Sequence, residues 1–124
     1  MNKLTLLFLC LMWSCAESQS LSPSEFQSQI QNTPGAVVLD VRTINETKES
    51  GIISGARVID YKGSDFKSEI EKLDKAKTYF VYCASGKRSG EAAKIMKQTG
   101  FQNVFTLDGG TKAWQKADFP LVNP

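Results

Sequence analysis

Thr78-Tyr79-Phe80-Val81-Tyr82-Cys83-Ala84-Ser85-Gly86-Lys87-Arg88-Ser89-Gly90 is the stretch on which the reading of this chain turns. Its first five residues form a continuous apolar run, the mark of a strand buried on both faces. From Glu91 to Thr99 the spacing becomes helical, with Ala92, Ala93, Ile95 and Met96 on the apolar side and Gly100 placed to end the helix. Cys83 therefore stands at a strand-to-helix turn, with backbone N–H groups and a helix N-terminus aimed at it. Such surroundings lower a thiol pKa and stabilise an anion attached to the sulfur. A cysteine after a buried strand is also often a small core hydrophobe. The residues that follow favour a reactive thiol. Gly86 lets N–H groups converge on an anion, Ser85 and Ser89 add hydroxyl donors, and Lys87 and Arg88 add positive potential.

Outward from this stretch, short apolar strands alternate with helices. Ser22-Pro23-Ser24-Glu25 reads as a helix start, with a capping serine, a proline in the first turn and a capping-box acid. Phe26 and Ile30 share a face of that helix, and Asn32 to Gly35 breaks it. Ala36 to Leu39 is a strand-length apolar run ending in Asp40-Val41-Arg42-Thr43, and Glu46 to Ser50 is read as one helical turn. Arg57-Val58-Ile59 is a further strand, and Phe66, Ile70 and Leu73 place a helix over 64–73. A last strand lies within Phe101 to Leu107, and Asp108-Gly109-Gly110 turns into a helix over 111–116 anchored by Trp114. This alternation predicts an α/β domain with a parallel sheet covered on both faces. In such sheets functional sites lie at the carboxyl ends of strands, where Asp40–Arg42, Cys83 and Asp108–Gly110 all fall.

A length of 124 residues allows one domain, and a formal charge of +2 without a basic stripe argues against nucleic acid. The chain has no histidine, which excludes Ser-His-Asp and Cys-His catalysis. Cys10, Cys15 and Cys83 are not spaced as a zinc site, and no metal or other cofactor is expected. Lys3 followed by the apolar Leu4 to Trp13 reads as a secretory signal, too short to span a membrane. Met12-Trp13-Ser14-Cys15 resembles a lipobox, with Cys15 the acylated residue; a plain signal peptide cut near Ala16 or Ser18 is the alternative. Trp13 is bulky for that pattern, and Met12 stands where leucine is usual. The expected organisation is a signal peptide over 1–15, a linker over 16–21 and a folded domain over 22–124. The protein is expected in the periplasm or cell envelope, with membrane contact only through the anchor. Acylation of Cys15 would leave Cys83 as the free thiol of the mature protein.

Cys83-Ala84-Ser85-Gly86-Lys87-Arg88-Ser89 resembles the active-site loop of rhodanese-like sulfurtransferases, Cys-x-x-Gly-x-Arg-Ser/Thr. The resemblance covers most of the mature chain. Asp40-Val41-Arg42 matches an Asp-Val-Arg signature, Gly109-Gly110 with Trp114 a Gly-Gly-x-x-x-Trp segment, and Phe119-Pro120-Leu121-Val122 the usual close. It implies a three-layer sandwich with a mainly parallel sheet of about five strands. It also implies transfer of sulfane sulfur, from a small donor such as thiosulfate to a thiol or cyanide acceptor, through a Cys83 persulfide. Residues Ala84 to Ser89 would cradle that persulfide in a protein expected to be monomeric. Asp40 and Arg42 read either as a charged rim or as structural support, and Gly109, Gly110 and Trp114 as turn and packing residues. In this family the arginine of the loop often supports it by hydrogen bonding. The sequence departs from the pattern at Gly51-Ile52-Ile53-Ser54-Gly55-Ala56, where the family has Gly-His-Ile-Pro-Gly-Ala, and at Ile44, where proline is common. The stretch from Asp40 to Gly55 is also one residue longer than usual. Two other readings stand beside the sulfurtransferase: a non-catalytic binding module, and a cysteine phosphatase. The phosphatase would need arginine at position 89, where this chain has serine.

Overall fold

The computed structural model describes residues 18–124; the leader and Cys15 lie outside them. Five parallel strands form one sheet in the order β1-β5-β4-β2-β3. They are β1 (Gln19–Leu21), β2 (Val37–Asp40), β3 (Arg57–Val58), β4 (Thr78–Tyr82) and β5 (Asn103–Leu107). The helices between and after them are α1 (Pro23–Asn32), α2 (Ile44–Ser50), α3 (Phe66–Glu71), α4 (Lys87–Gln98) and α5 (Gly110–Lys116). The expected α/β sandwich is the one the chain forms.

Side-chain alternation along β4 divides the core in two. Tyr79, Val81 and Cys83 face Phe66 and Ile70 of α3 and Ala92, Ala93 and Met96 of α4. Phe80 and Tyr82 face the other way, onto Phe26 of α1 and Trp114 of α5. Phe26 sits edge-on to Phe80, Tyr82 and Trp114, with centroids 5.6, 6.5 and 6.2 Å away. A central strand buried on both faces needs the unbroken apolar run that the sequence carries there.

Of the boundaries that differ from the sequence reading, three bear on the sheet or the cysteine loop. Residues 19–21, read as part of a linker, form edge strand β1, paired to β5 in the register Gln19↔Phe105 to Leu21↔Leu107. Their polar sequence has no strand period; a single anchor, the buried Leu21, holds them to the core. Helix α2 starts at Ile44, because Thr43 and Glu46 form a capping box in which each side chain takes the other's backbone N–H. Helix α4 starts at Lys87, four residues before its apolar periodicity begins, so the cysteine loop runs directly into the first helical turn.

Candidate functional site

The β4 ladder carries the chain to Tyr82, whose carbonyl accepts the Val41 N–H at 3.0 Å. Cys83 follows, fully buried, with its side chain on the α4 side of the sheet. Gly86 then reverses the chain at φ +108°, a conformation that L side chains rarely adopt. It is the N-cap of α4 and has no side chain with which to cap. The sulfur takes that place. Cys83 Sγ accepts the N–H of Gly86 at 3.1 Å and of Ser89 at 3.3 Å, and Ser89 Oγ lies 3.5 Å away.

These contacts act against burial. Burial pushes the thiol pKa up; the Ser89 hydroxyl and the N–H groups of Ser89, Gly86 and Ser85 outweigh it, and the pKa lies below the ordinary value. Ser89 Oγ also lies 3.2 Å from the Gly86 carbonyl. Its one proton can go to that carbonyl while the thiol is protonated, or to the sulfur once it ionises. In the first turn of α4, the N–H groups of Lys87 and Arg88 have no acceptor among the described residues. The turn therefore presents donors already on the sulfur and donors still open beside it.

Helix α5 holds the loop in this shape. Its first N–H groups reach back across the sheet edge: Thr111 donates to the Cys83 carbonyl at 2.9 Å and Lys112 to the Ala84 carbonyl at 3.2 Å. Anchoring those carbonyls leaves the loop N–H groups to face the sulfur. The close approach needs Gly110, at φ +62°; a Cβ there would overlap Ala84 and sit 2.5 Å from the Cys83 carbonyl oxygen. The turn and packing role read for Gly110 thus includes shaping the cysteine loop.

The two cations of the loop differ. Lys87 is exposed. Arg88 is paired through both terminal nitrogens with the Glu46 carboxylate, at 2.7 and 3.0 Å. Glu46 also accepts the Thr43 N–H at 3.0 Å and hydroxyl at 3.1 Å. The Arg88 hydrogen bond, against some opposition from burial, holds the Glu46 pKa down to about 2. Sequence reasoning passed over Glu46 as a site neighbour, although Thr43-x-x-Glu46 is a legible capping box.

Asp40 and Arg42 do not form a rim. Their side chains are 0% and 2% exposed. The Arg42 guanidinium grips Asp40 at 2.7 to 3.2 Å and continues to Ser50 Oγ at 2.8 Å and the Gly51 carbonyl at 2.7 Å. This is the support reading of the pair. The segment that departs from the family pattern is tied in at three points. Arg42 holds Gly51, Ile52 forms an antiparallel bridge with Val122, and Ile53 N–H donates to the Tyr82 hydroxyl at 2.9 Å. Ile52, where the family has histidine, is buried. Among the described residues, no three His, Cys, Asp or Glu side chains are grouped to hold a metal ion.

Comparison with known proteins agrees with this geometry. The rhodanese-like domain family matches residues 22–117. The thiosulfate sulfurtransferase GlpE of Ectopseudomonas mendocina (strain ymp) is 36% identical over 106 residues, covering 85% of this chain and 91% of that protein. The thiosulfate:glutathione sulfurtransferase of Saccharomyces cerevisiae is 31% identical over 121 residues, covering 82% and 87%. Among solved structures, a rhodanese-related protein from Thermoplasma volcanium is similar with a TM-score of 0.75 and 28% identity, over 86% of this chain and 99% of that one. The chain belongs to the rhodanese-like domain family.

Proposed function

We propose that this rhodanese-like protein is a sulfurtransferase that carries sulfur as a persulfide on Cys83. One observation supports the reading above the rest: the Cys83 sulfur occupies the cap position of α4, under N–H donors already bonded to it and beside two that are open. In the first step the thiolate attacks the outer sulfur of a donor such as thiosulfate. The S–S bond of the donor breaks, its electron pair leaves with sulfite, and Cys83 becomes Cys–S–S⁻. In the second step a thiolate or cyanide attacks the outer sulfur and leaves as a persulfide or thiocyanate, restoring the Cys83 thiolate. The N–H groups of Lys87 and Arg88 are placed to receive the charge that appears on the outer sulfur.

The spacing of the loop, with arginine at position 88, favours sulfur over phosphate. At position 89, where the phosphatase pattern needs arginine, a buried serine is bonded to the sulfur itself. Burial of Cys83 also suits a small attacked atom. Incubation of the purified domain with thiosulfate should add one sulfur, read by mass spectrometry on the peptide containing Cys83. Thiocyanate should then form when cyanide is added, and Cys83→Ser should abolish both. An unmodified Cys83 after thiosulfate or polysulfide treatment would overturn the reading.

For location, we propose an exported protein anchored through acylated Cys15. The basic, short apolar leader supports export, and Ser14-Cys15 supports the anchor. Cys15→Ala should move the protein from the membrane to the soluble fraction. Unchanged membrane association would count against the anchor.

A further inference from the structure

The Arg88–Glu46 pair lies at the border between the cysteine loop and α2, and no step of sulfur transfer as written above uses it. Arg88 is the last residue of the six-residue span from Cys83, close enough that a Cys83 thiolate raises its pKa further, after the larger effect of Glu46. Left free, its guanidinium would be the strongest anion receptor at the site. It is not free. Both terminal nitrogens end on Glu46, whose carboxylate is in turn fixed by the Thr43 N–H and hydroxyl at the start of α2. The pair is four-fifths and two-thirds withdrawn from solvent, with side chains 20% and 35% exposed. Its charges cancel beside the sulfur, leaving Lys87 as the formal cation of the loop that has no carboxylate partner among the described ion pairs.

We propose that Glu46 is a specificity-determining positioning residue, which neutralises Arg88 and so limits the preference of the site for doubly charged sulfur donors over singly charged ones. The inference rests on the sulfurtransferase reading and deepens it. A donor's sulfane sulfur is met by neutral N–H groups, which do not count its total charge; the guanidinium would. Two donors present the same outer sulfur with different charge. Thiosulfate is a dianion and leaves as sulfite. Methanethiosulfonate, CH3SO2S⁻, is a monoanion and leaves as methanesulfinate, forming the same Cys83 persulfide.

The test compares kcat/KM for these two donors in the wild-type protein, Glu46→Gln and Glu46→Asp. Glu46→Gln frees one positive charge and should raise the thiosulfate-to-thiosulfonate ratio by about threefold at low salt. The gain should shrink as ionic strength rises. Glu46→Asp keeps the charge while shortening the reach, so its ratio should stay at the wild-type value even where both rates fall. A ratio unmoved in Glu46→Gln, with both donors slowed alike, would show a strut and nothing more, and would overturn the proposal. Should Glu46→Gln not fold, Lys87→Gln removes the unpaired cation of the loop and leaves Arg88 as the one whose charge is read. It should remove most of the salt dependence of the thiosulfate reaction, because Arg88 is already neutralised. Salt dependence persisting undiminished in Lys87→Gln would overturn the proposal. Failure of the wild-type protein to take sulfur from either donor would instead overturn the sulfurtransferase reading, so the two failures are told apart.

Discussion

The ends of β2 and β4 are neighbours in the sheet, paired in register Asp40↔Tyr82, and they use their hydrogen-bonding capacity in opposite ways. At the end of β2, the Asp40 and Arg42 side chains consume one another, and the remaining guanidinium donors go to Ser50 and Gly51. Tyr82 beside them is held protonated, by burial first and by Asp40 second. Nothing is left over there: among the described residues, every buried side-chain nitrogen and oxygen has a partner. At the end of β4, backbone N–H groups gather on one soft sulfur and leave two donors open. Adjacent strand ends, both charged in sequence, are thus a closed knot and an open cradle. Charge at a strand end does not separate the two; unsatisfied donors do.

Breaking the knot should cost the most. Arg42→Met leaves the Asp40 carboxylate buried without its cation, and the urea unfolding midpoint should report a loss of about 3–5 kcal/mol. Thiol reactivity of the folded fraction should be little changed. A stability close to wild type would show that the two strand ends are not as unlike as their geometry makes them. Opening the cradle costs less stability and more chemistry. Gly110→Ala drives a methyl into the Cys83 and Ala84 carbonyls, and a shift of about 1 Å in the loop should slow persulfide formation about 100-fold. Circular dichroism and initial rates, measured together, separate a misplaced loop from an unfolded chain.

A finer change is Ser89→Ala, which removes one donor to the sulfur. Because the folded thiol is more acidic than usual, losing a donor to its anion raises its pKa. The pH profile of iodoacetamide alkylation should move to the alkaline side, with the rate at neutral pH falling about fivefold. Ser89→Thr should restore it. The smallest effect belongs to the border between the two regions. Glu46 has a folded pKa of about 2 against an ordinary 4.5, so it adds stability that is fully present above pH 4.5 and lost as pH falls toward 2. Acid unfolding followed by tryptophan fluorescence should lose that part of its pH dependence in Glu46→Gln.

What could be read in the sequence follows from what repeats along a chain. The strands read over 36–39 and 78–82, observed at Val37–Asp40 and Thr78–Tyr82, were legible because burial on both faces demands unbroken apolar runs. The cysteine loop was legible because glycine, cations and hydroxyls crowd into one short segment. Features that depend on a distant partner were not legible. Gln19–Leu21 has no pattern of its own and becomes a strand only beside β5. The roles of Asp40 and Arg42 stayed open because sequence does not show that both are buried. The pairing that offsets the charge of Arg88 depends on Glu46, 42 residues away in the chain. The onset of α4 at Lys87 escaped the helical period because its first turn carries polar groups that serve the loop.

The strand at residues 19–21 has a further consequence, one of orientation. All five strands run the same way, so the end at which the chain enters β1 and the end at which Cys83 emerges from β4 are opposite edges of the sheet. Three residues, Ala16 to Ser18, separate Cys15 from Gln19, a reach of about 14 Å at most over four Cα–Cα steps. A lipid on Cys15 would seat the domain on the bilayer by the edge away from the sulfur. The thiol would then point outward into the compartment, toward partners arriving from water rather than from the membrane.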